Sequence, residues 1–260
     1  MDQDKLLRLL EQVATGRTTP EEVLEHIAVA PFTDIGHSRI DFHRMVRCGF
    51  EEVVYAAGKD LDALKDIIGV TVASMGRVLL TRLPESYVDS LSVCYPDLVF
   101  HPRSRSAAVV RESAPRLNGS VAVLSAGTSD AAVAEEALVC AEFLGADVTA
   151  FRDVGVAGLQ RLLSVLEELR TYDVLVVVAG MEGALPGVVA GLTAAPVIAV
   201  PTSVGYGAAF GGITALCGML ISCSPGLTVV NIDNGFGAAL AATRMLKHIR
   251  RTSDAEPKDL

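Results

Sequence analysis

The residues best placed for chemistry are Cys223 and Glu182. Cys223 sits in Ser222-Cys223-Ser224-Pro225-Gly226, at the end of a helical pattern and before a Pro-Gly turn, where a thiol can face a cleft. A lone cysteine there is more often inert than nucleophilic, and spacing leaves both readings open. Cys217 falls inside the helical pattern and reads as core. Six residues turn a helix by about 240°, so Cys217 and Cys223 form no shared metal site on one. Glu182 lies in Ala179-Gly180-Met181-Glu182-Gly183-Ala184-Leu185-Pro186-Gly187, between glycines that let other groups approach closely. It can serve as a general acid or base, or face a substrate cation. The helix dipole alone also favours an acid in a first turn.

Three further segments suit a ligand, the first two an anion. Ser125-Ala126-Gly127-Thr128-Ser129-Asp130 offers a glycine turn, hydroxyls and the free N–H groups of the next helix. Its Thr128, Ser129 or Asp130 would equally serve as an ordinary N-cap. Pro201-Thr202-Ser203-Val204-Gly205-Tyr206-Gly207 opens a glycine-rich loop that matches neither the dinucleotide fingerprint nor the P-loop. Asn231-Ile232-Asp233-Asn234-Gly235-Phe236-Gly237 combines polar side chains with glycines, as a ligand loop or an Asn-Gly turn would. H-E-x-x-H, paired C-x-x-C and G-x-S-x-G are absent, which removes support for zinc and serine hydrolases.

These segments follow apolar runs. Strands are predicted at 120–125, 147–151, 174–178, 197–200 and 227–232, and helices at 129–144, 156–170, 184–192, 208–221 and 236–250. In the second helix Leu159, Leu162, Leu163 and Leu166 are read as one face. Apolar strands alternating with helices predict an α/β doubly wound parallel sheet, with ligands beyond the C-terminal strand ends. Residues 1–118 read as a smaller α+β domain, 119–250 as the catalytic α/β domain and 251–260 as a polar tail. In the first domain, helices are read at Leu6–Val13 and after Thr19-Pro20-Glu21-Glu22. A strand and tight turn follow over 53–59, then a helix over 60–68 and a strand over 78–83.

With 50% apolar and 20% charged residues over 260 positions, the chain can build a core. A net charge of −9 argues against nucleic acid as a partner. No apolar run approaches the roughly 18 residues of a membrane span. The polar start Met1-Asp2-Gln3-Asp4-Lys5 is unlike a signal peptide, and five scattered cysteines fit a reducing cytoplasm.

The five motifs around Cys223, Glu182 and the strand ends, in this order, resemble the LarB family. Asp41-x-x-Arg44-x-x-Arg47-x-Gly49-Phe50, Glu52 and Gly58-Lys59 extend the resemblance to about residues 36–245. Glu51 departs from a frequent proline, a change expected to alter one turn more than the chemistry. The resemblance implies a PurE-like, flavodoxin-like second domain. It implies that nicotinic acid adenine dinucleotide is carboxylated at pyridinium C5 and its phosphoanhydride hydrolysed, giving pyridinium-3,5-biscarboxylic acid mononucleotide and AMP.

Cys223 matches the family's nucleophile. Thiolate addition at C4 would turn C5 into an enamine carbon able to attack carbon dioxide. Glu182 is the acid/base candidate. Ser125, Gly127, Thr128, Ser129 and Asp130 would hold the ribose phosphate. Gly180, Met181, Thr202, Ser203, Gly205, Tyr206, Gly207, Asn231, Asp233, Asn234 and Gly235 would line the site. Arg44, Arg47 and Lys59 would meet the nicotinate carboxylate or the diphosphate; surface charge or interdomain pairing explains them equally. Carbon dioxide or bicarbonate is the co-substrate, no tightly bound cofactor is expected, and Mg²⁺ is left open for the hydrolysis. A homo-oligomer is expected, an octamer by resemblance to PurE. The rivals are a PurE-like aminoimidazole ribonucleotide carboxylase/mutase and a non-catalytic nucleotide-binding module. PurE carries a catalytic histidine after its second strand, and the only histidine beyond residue 118 here is His248.

Overall fold

The computed structural model describes residues 3–27, 32–42 and 44–253. It divides into two compact units, Met1–Phe100 with Ala107–Ser113, and His101–Ser106 with Ala114–Leu260. The chain thus crosses between units at a hairpin tip as well as near residue 114.

The first unit contains α1 (Gln3–Ala14), α2 (Pro20–Ile27), β1 (Thr33–Asp34), β2 (Arg39–Ile40), α3 (Arg44–Cys48) and β3 (Val54–Tyr55). α4 (Leu61–Met75), β4 (Arg77–Thr81), α5 (Val88–Cys94), β5 (Leu98–His101) and β6 (Ser106–Val110) follow. Thr19 and Glu22 cap α2 reciprocally, each side chain accepting the other's backbone N–H. The four-stranded sheet runs β3-β4-β6-β5. α4 extends well past the predicted residue 68. Gly69, Val70, Thr71 and Val72 weaken helix propensity, but buried Ile68 and Val72 pack with Val78 and Leu80, and tertiary burial wins. Gly76, at φ 71°, ends the helix in the left-handed region.

The second unit contains β7 (Ser120–Ser125), α6 (Ala131–Phe143), β8 (Asp147–Phe151), α7 (Leu159–Leu169) and β9 (Val174–Ala179). α8 (Ala184–Ala190), β10 (Val197–Pro201), α9 (Ile213–Leu220), β11 (Leu227–Val229) and α10 (Gly235–Ser253) complete it. All five strands are parallel, in the order β11-β10-β9-β7-β8. This is the doubly wound, flavodoxin-like order, with its switch point between β7 and β9. Alternation along β9 shows why the sheet is buried on both faces. Val174, Val176 and Val178 pack with α6 and α10, while Leu175, Val177 and Ala179 pack with α7, α8 and α9.

Several boundaries and one helix face differ from the sequence expectation. Left-handed backbone at Phe210 and Gly211 splits the predicted 208–221 helix into a short turn and α9. β11 stops at Val229, before the predicted Ile232. α10 runs to Ser253, into the predicted tail, whose residues 254–260 lie outside the described residues. Of the four leucines read as one face of α7, Leu162 and Leu166 are buried, along with Leu169, whereas Leu159 and Leu163 are exposed. A helix this close to a sheet buries a stripe narrower than four leucines.

That split is measurable by chemical unfolding. Leu162→Ala should cost about 2–5 kcal/mol by cavity formation, and Leu163→Ala no more than about 0.5 kcal/mol.

Candidate functional site

The site is assembled from the loops that leave the C-terminal ends of the second sheet. Ser125 ends β7 and is buried; the next N–H, of Ala126, donates to Val178 O at 3.0 Å across the switch point. One oxygen of Asp130 accepts the Gly127 N–H at 2.9 Å. Its other oxygen accepts the Thr202 hydroxyl at 2.7 Å. Asp130 and Thr202 are both buried, so one carboxyl group ties the end of β7 to the end of β10 across β9. Thr128 and Ser129 remain exposed above this brace.

The loop after β9 is clamped by close backbone packing. A Cβ on Gly180 would lie 2.5 Å from Val204 O and 2.6 Å from Thr202 Oγ1. Met181 donates its N–H to Val204 O at 2.9 Å and holds φ at 53°. Met181 and Glu182 are left exposed at the mouth. The last loop joins the same set, because Ser203 N–H donates to Asp233 Oδ1 at 2.8 Å and Asp233 N–H to Pro201 O at 2.9 Å. Asn234 Oδ1 accepts the Gly237 N–H and caps α10. Ser203, Gly205, Tyr206, Gly207 and Asn231 are exposed, and Gly235 is buried. Asp153, Met181 and Asp233, in the loops after β8, β9 and β11, all hold positive φ. Side chains rarely adopt that backbone, and here surrounding hydrogen bonds hold two of the three loops in it.

Cys223 is exposed, in the loop between α9 and β11. Its neighbours fix that loop to α8: Ser224 Oγ donates to Gly187 O at 2.6 Å, and Ser222 Oγ receives the Ser224 N–H at 3.3 Å. In strand register the loop enters at the other end of the sheet from Glu182, although Gly218 of α9 packs against the Glu182 carbonyl, where a Cβ would lie 2.5 Å away, and Ser224 binds Gly187 of α8. Leu227, which follows Cys223, pairs with Val197 at the start of β10, whereas Ala179, which precedes Glu182, pairs with Pro201 at its end. These levels are about 13 Å apart along the strand.

Cys217 is exposed, which corrects its reading as core: Ala215 and Met219 form the buried side of α9. Cys140 is the buried thiol, and burial with the nearby Glu136 carboxyl pushes it well above its ordinary range. Burial likewise raises the Glu142 carboxyl, against an opposing effect from His101. His101 belongs to this unit through the hairpin tip, so His248 is not its sole histidine.

In the first unit, Arg44 approaches Glu52 at 3.9 Å, and Lys59 Nζ donates to Tyr55 O at 2.9 Å. The Arg47 side chain lies outside the described residues, as does His43. Glu51 does more than alter a turn: it pairs with Arg77 at 2.7 Å, and both side chains are buried. Among the described residues no group of three or more His, Cys, Asp or Glu is arranged to hold a metal, and no helix is long and apolar enough to cross a membrane.

Residues 32–111 match the LarB/PurE-like N-terminal domain, and residues 120–256 match the AIR carboxylase domain. The chain belongs to the LarB family. Its second unit is PurE-like, which makes this LarB-family chain a member of a PurE-related group of carboxylase and mutase enzymes. An uncharacterised protein of Methanocaldococcus jannaschii is 37% identical over 92% of this chain and 96% of its own length. The N5-carboxyaminoimidazole ribonucleotide mutase of the same organism is 34% identical over 48% of this chain and 78% of its own. The crystal structure of Treponema denticola PurE covers 52% of this LarB-family chain and 94% of its own, at 18% identity and a TM-score of 0.38.

Two measurements probe the site's framework. Thr202→Val leaves a buried Asp130 oxygen without its donor and should lower unfolding free energy by about 1–3 kcal/mol. Native-state alkylation read by mass spectrometry should spare Cys140 and label Cys94, which is exposed.

Proposed function

We propose that the protein carboxylates nicotinic acid adenine dinucleotide at pyridinium C5 and hydrolyses its phosphoanhydride, releasing AMP and pyridinium-3,5-biscarboxylic acid mononucleotide. The observation that carries this reading is Cys223, an exposed thiol in a loop pinned by Ser222 and Ser224. Its thiolate adds to C4, and the ring electrons make C5 an enamine carbon. C5 attacks carbon dioxide, itself or drawn from bicarbonate. Glu182 removes the C5 proton, the ring regains aromaticity, and the C–S bond breaks to return the thiolate. Water cleaves the phosphoanhydride, with Mg²⁺ as an optional aid and no tightly bound cofactor. Thr128, Ser129 and the glycine-rich loops hold the nucleotide, above the brace made by Asp130 and Thr202. The first unit adds substrate contacts through Arg44, Arg47 and Lys59. The setting is the cytoplasm, where an exposed thiol stays reduced.

This chemistry calls for Cys223 and Glu182 around one ring, yet their loops leave opposite ends of the sheet. A homo-oligomer, octameric by analogy with PurE, resolves this if Cys223 of one copy meets Glu182 of the next. Leu220 and Ile221 beside Cys223, and Tyr206 and Phe210 beyond β10, are exposed apolar residues suited to such a contact. A second reading, aminoimidazole ribonucleotide carboxylation, gains from His101, which joins the PurE-like unit.

Incubation with nicotinic acid adenine dinucleotide, bicarbonate and Mg²⁺, analysed by mass spectrometry, should give AMP and the dicarboxylated mononucleotide. Cys223→Ala should abolish carboxylation. Conversion of aminoimidazole ribonucleotide instead, lost in His101→Ala, would replace the first reading with the second. Mixing Cys223→Ala and Glu182→Ala subunits should restore activity at roughly a quarter of sites if the site is shared between copies, and at none if it is not.

A further inference from the structure

A small cavity of about 70 Å³ opens between α6 and the β7–β8 edge of the second unit. Parallel pairing of Leu124 with Phe151 sets Ser125 next to Arg152 at the ends of those two strands. By strand alternation both side chains fall on the same side as Val123 and Ala150, which also line the cavity. The turn between β5 and β6 supplies His101 and Arg103. Ser104, buried in that turn, holds it in shape. Its N–H donates to Glu135 of α6 at 2.8 Å, and its hydroxyl donates to His101 O at 3.5 Å and accepts the Ser106 N–H at 3.4 Å. Arg103 and Arg152 have no ion-pair partner among the described residues, unlike Arg161, which pairs with Asp153. Glu135, the acid in the lining, already accepts the Ser104 N–H.

Two guanidinium groups against one carboxylate leave the cavity with a positive balance. The apolar side chains of Val123, Leu138 and Val139 exclude water from its wall, which strengthens the pull on an anion. A single water needs about 10–15 Å³ of such space, so the cavity takes an ion of a few heavy atoms and excludes an aromatic ring. A planar guanidinium meets two oxygens of an oxyanion at once. We propose that this cavity binds a free oxyanion the size of bicarbonate or orthophosphate. Arg103 and Arg152 are its two arms, and Ser125 and His101 are its hydrogen-bonding partners. The size and sign of the ligand rest on the cavity alone. The choice of bicarbonate rests on the proposed reaction, which consumes it. Ser125 pairs with Val178 on β9, just before the loop of Glu182, so the bound ion lies at the same end of the sheet as that acid.

The test follows two ions on the full-length protein, by the carbon NMR line of isotope-labelled bicarbonate and the phosphorus NMR line of orthophosphate. Arg103→Ala and Arg152→Ala should each weaken bicarbonate binding about tenfold, with Arg152→Lys retaining part of the affinity. Arg161→Ala, outside the cavity, should leave it unchanged. Thermal melts establish that the variants are folded. Broadening of the bicarbonate line supports the co-substrate role. Broadening of the phosphate line alone supports the oxyanion site and removes bicarbonate from it. Two lines left sharp by the wild type overturn the proposal, as does broadening that survives in the double variant. In turnover the double variant should raise KM for bicarbonate and leave KM for nicotinic acid adenine dinucleotide unchanged, a split that a general loss of structure does not give. If the ion binds through the two arginines but nicotinic acid adenine dinucleotide stays intact, the site stands and the proposed reaction falls. If turnover keeps its bicarbonate KM in a double variant that has lost the ion, the reaction stands and the bicarbonate assignment falls.

Discussion

A carboxyl group buried among parallel strands must have its oxygens occupied, and Asp130 meets that demand through two segments distant in sequence. One bond closes its own turn, and the other reaches over β9 to Thr202. The ends of β7 and β10 are therefore held in one register. The loop after β9 passes between them, where Gly180 leaves room for Thr202 and Val204. From there Ser203 and Asp233 carry the tie to the last loop. The exposed side chains of the mouth, Glu182 among them, stand on a frame whose own polar groups are mostly spent on one another.

That economy separates support from chemistry. Asp130, Thr202 and Asn234 face inward and satisfy backbone or buried partners, while Thr128, Ser129 and Glu182 remain open to a ligand. Polarity at a strand end does not by itself tell these roles apart; burial and hydrogen-bond partners do. The same distinction applies to the thiols. Cys140 is sealed on the buried face of α6, whereas Cys217 and Cys223 reach the surface at α9 and just beyond it.

Much of the second unit was legible in the sequence, because a strand buried on both faces writes an unbroken apolar run such as Val174–Ala179. Its doubly wound layering also followed from crossovers of one hand, while the flavodoxin-like arrangement was implied by the resemblance. Where local propensity and burial compete, the sequence is a poorer guide. α4 continues through Gly69 and Val70 because Ile68 and Val72 are buried. Cys217 has core-like neighbours but the wrong phase on its helix. The clustering of His101 and Arg103 with Arg152 had no local signature, since a hairpin tip joining another unit is a long-range event. Cys223 is adjacent to the strand-end motifs in the chain but not in level along the sheet, which only the pairing of Leu227 with Val197 reveals.

The hairpin tip also bears on inheritance. Its strands β5 and β6 belong to the first sheet, but its turn is fastened to Glu135 of the second unit. A gene cut near residue 114 would give a carboxylase-like half with one of its walls missing and a partner half with a loose loop. The two halves are therefore not interchangeable cassettes. Recombination that swapped either one would have to carry a matching tip and a matching α6, which ties their divergence together.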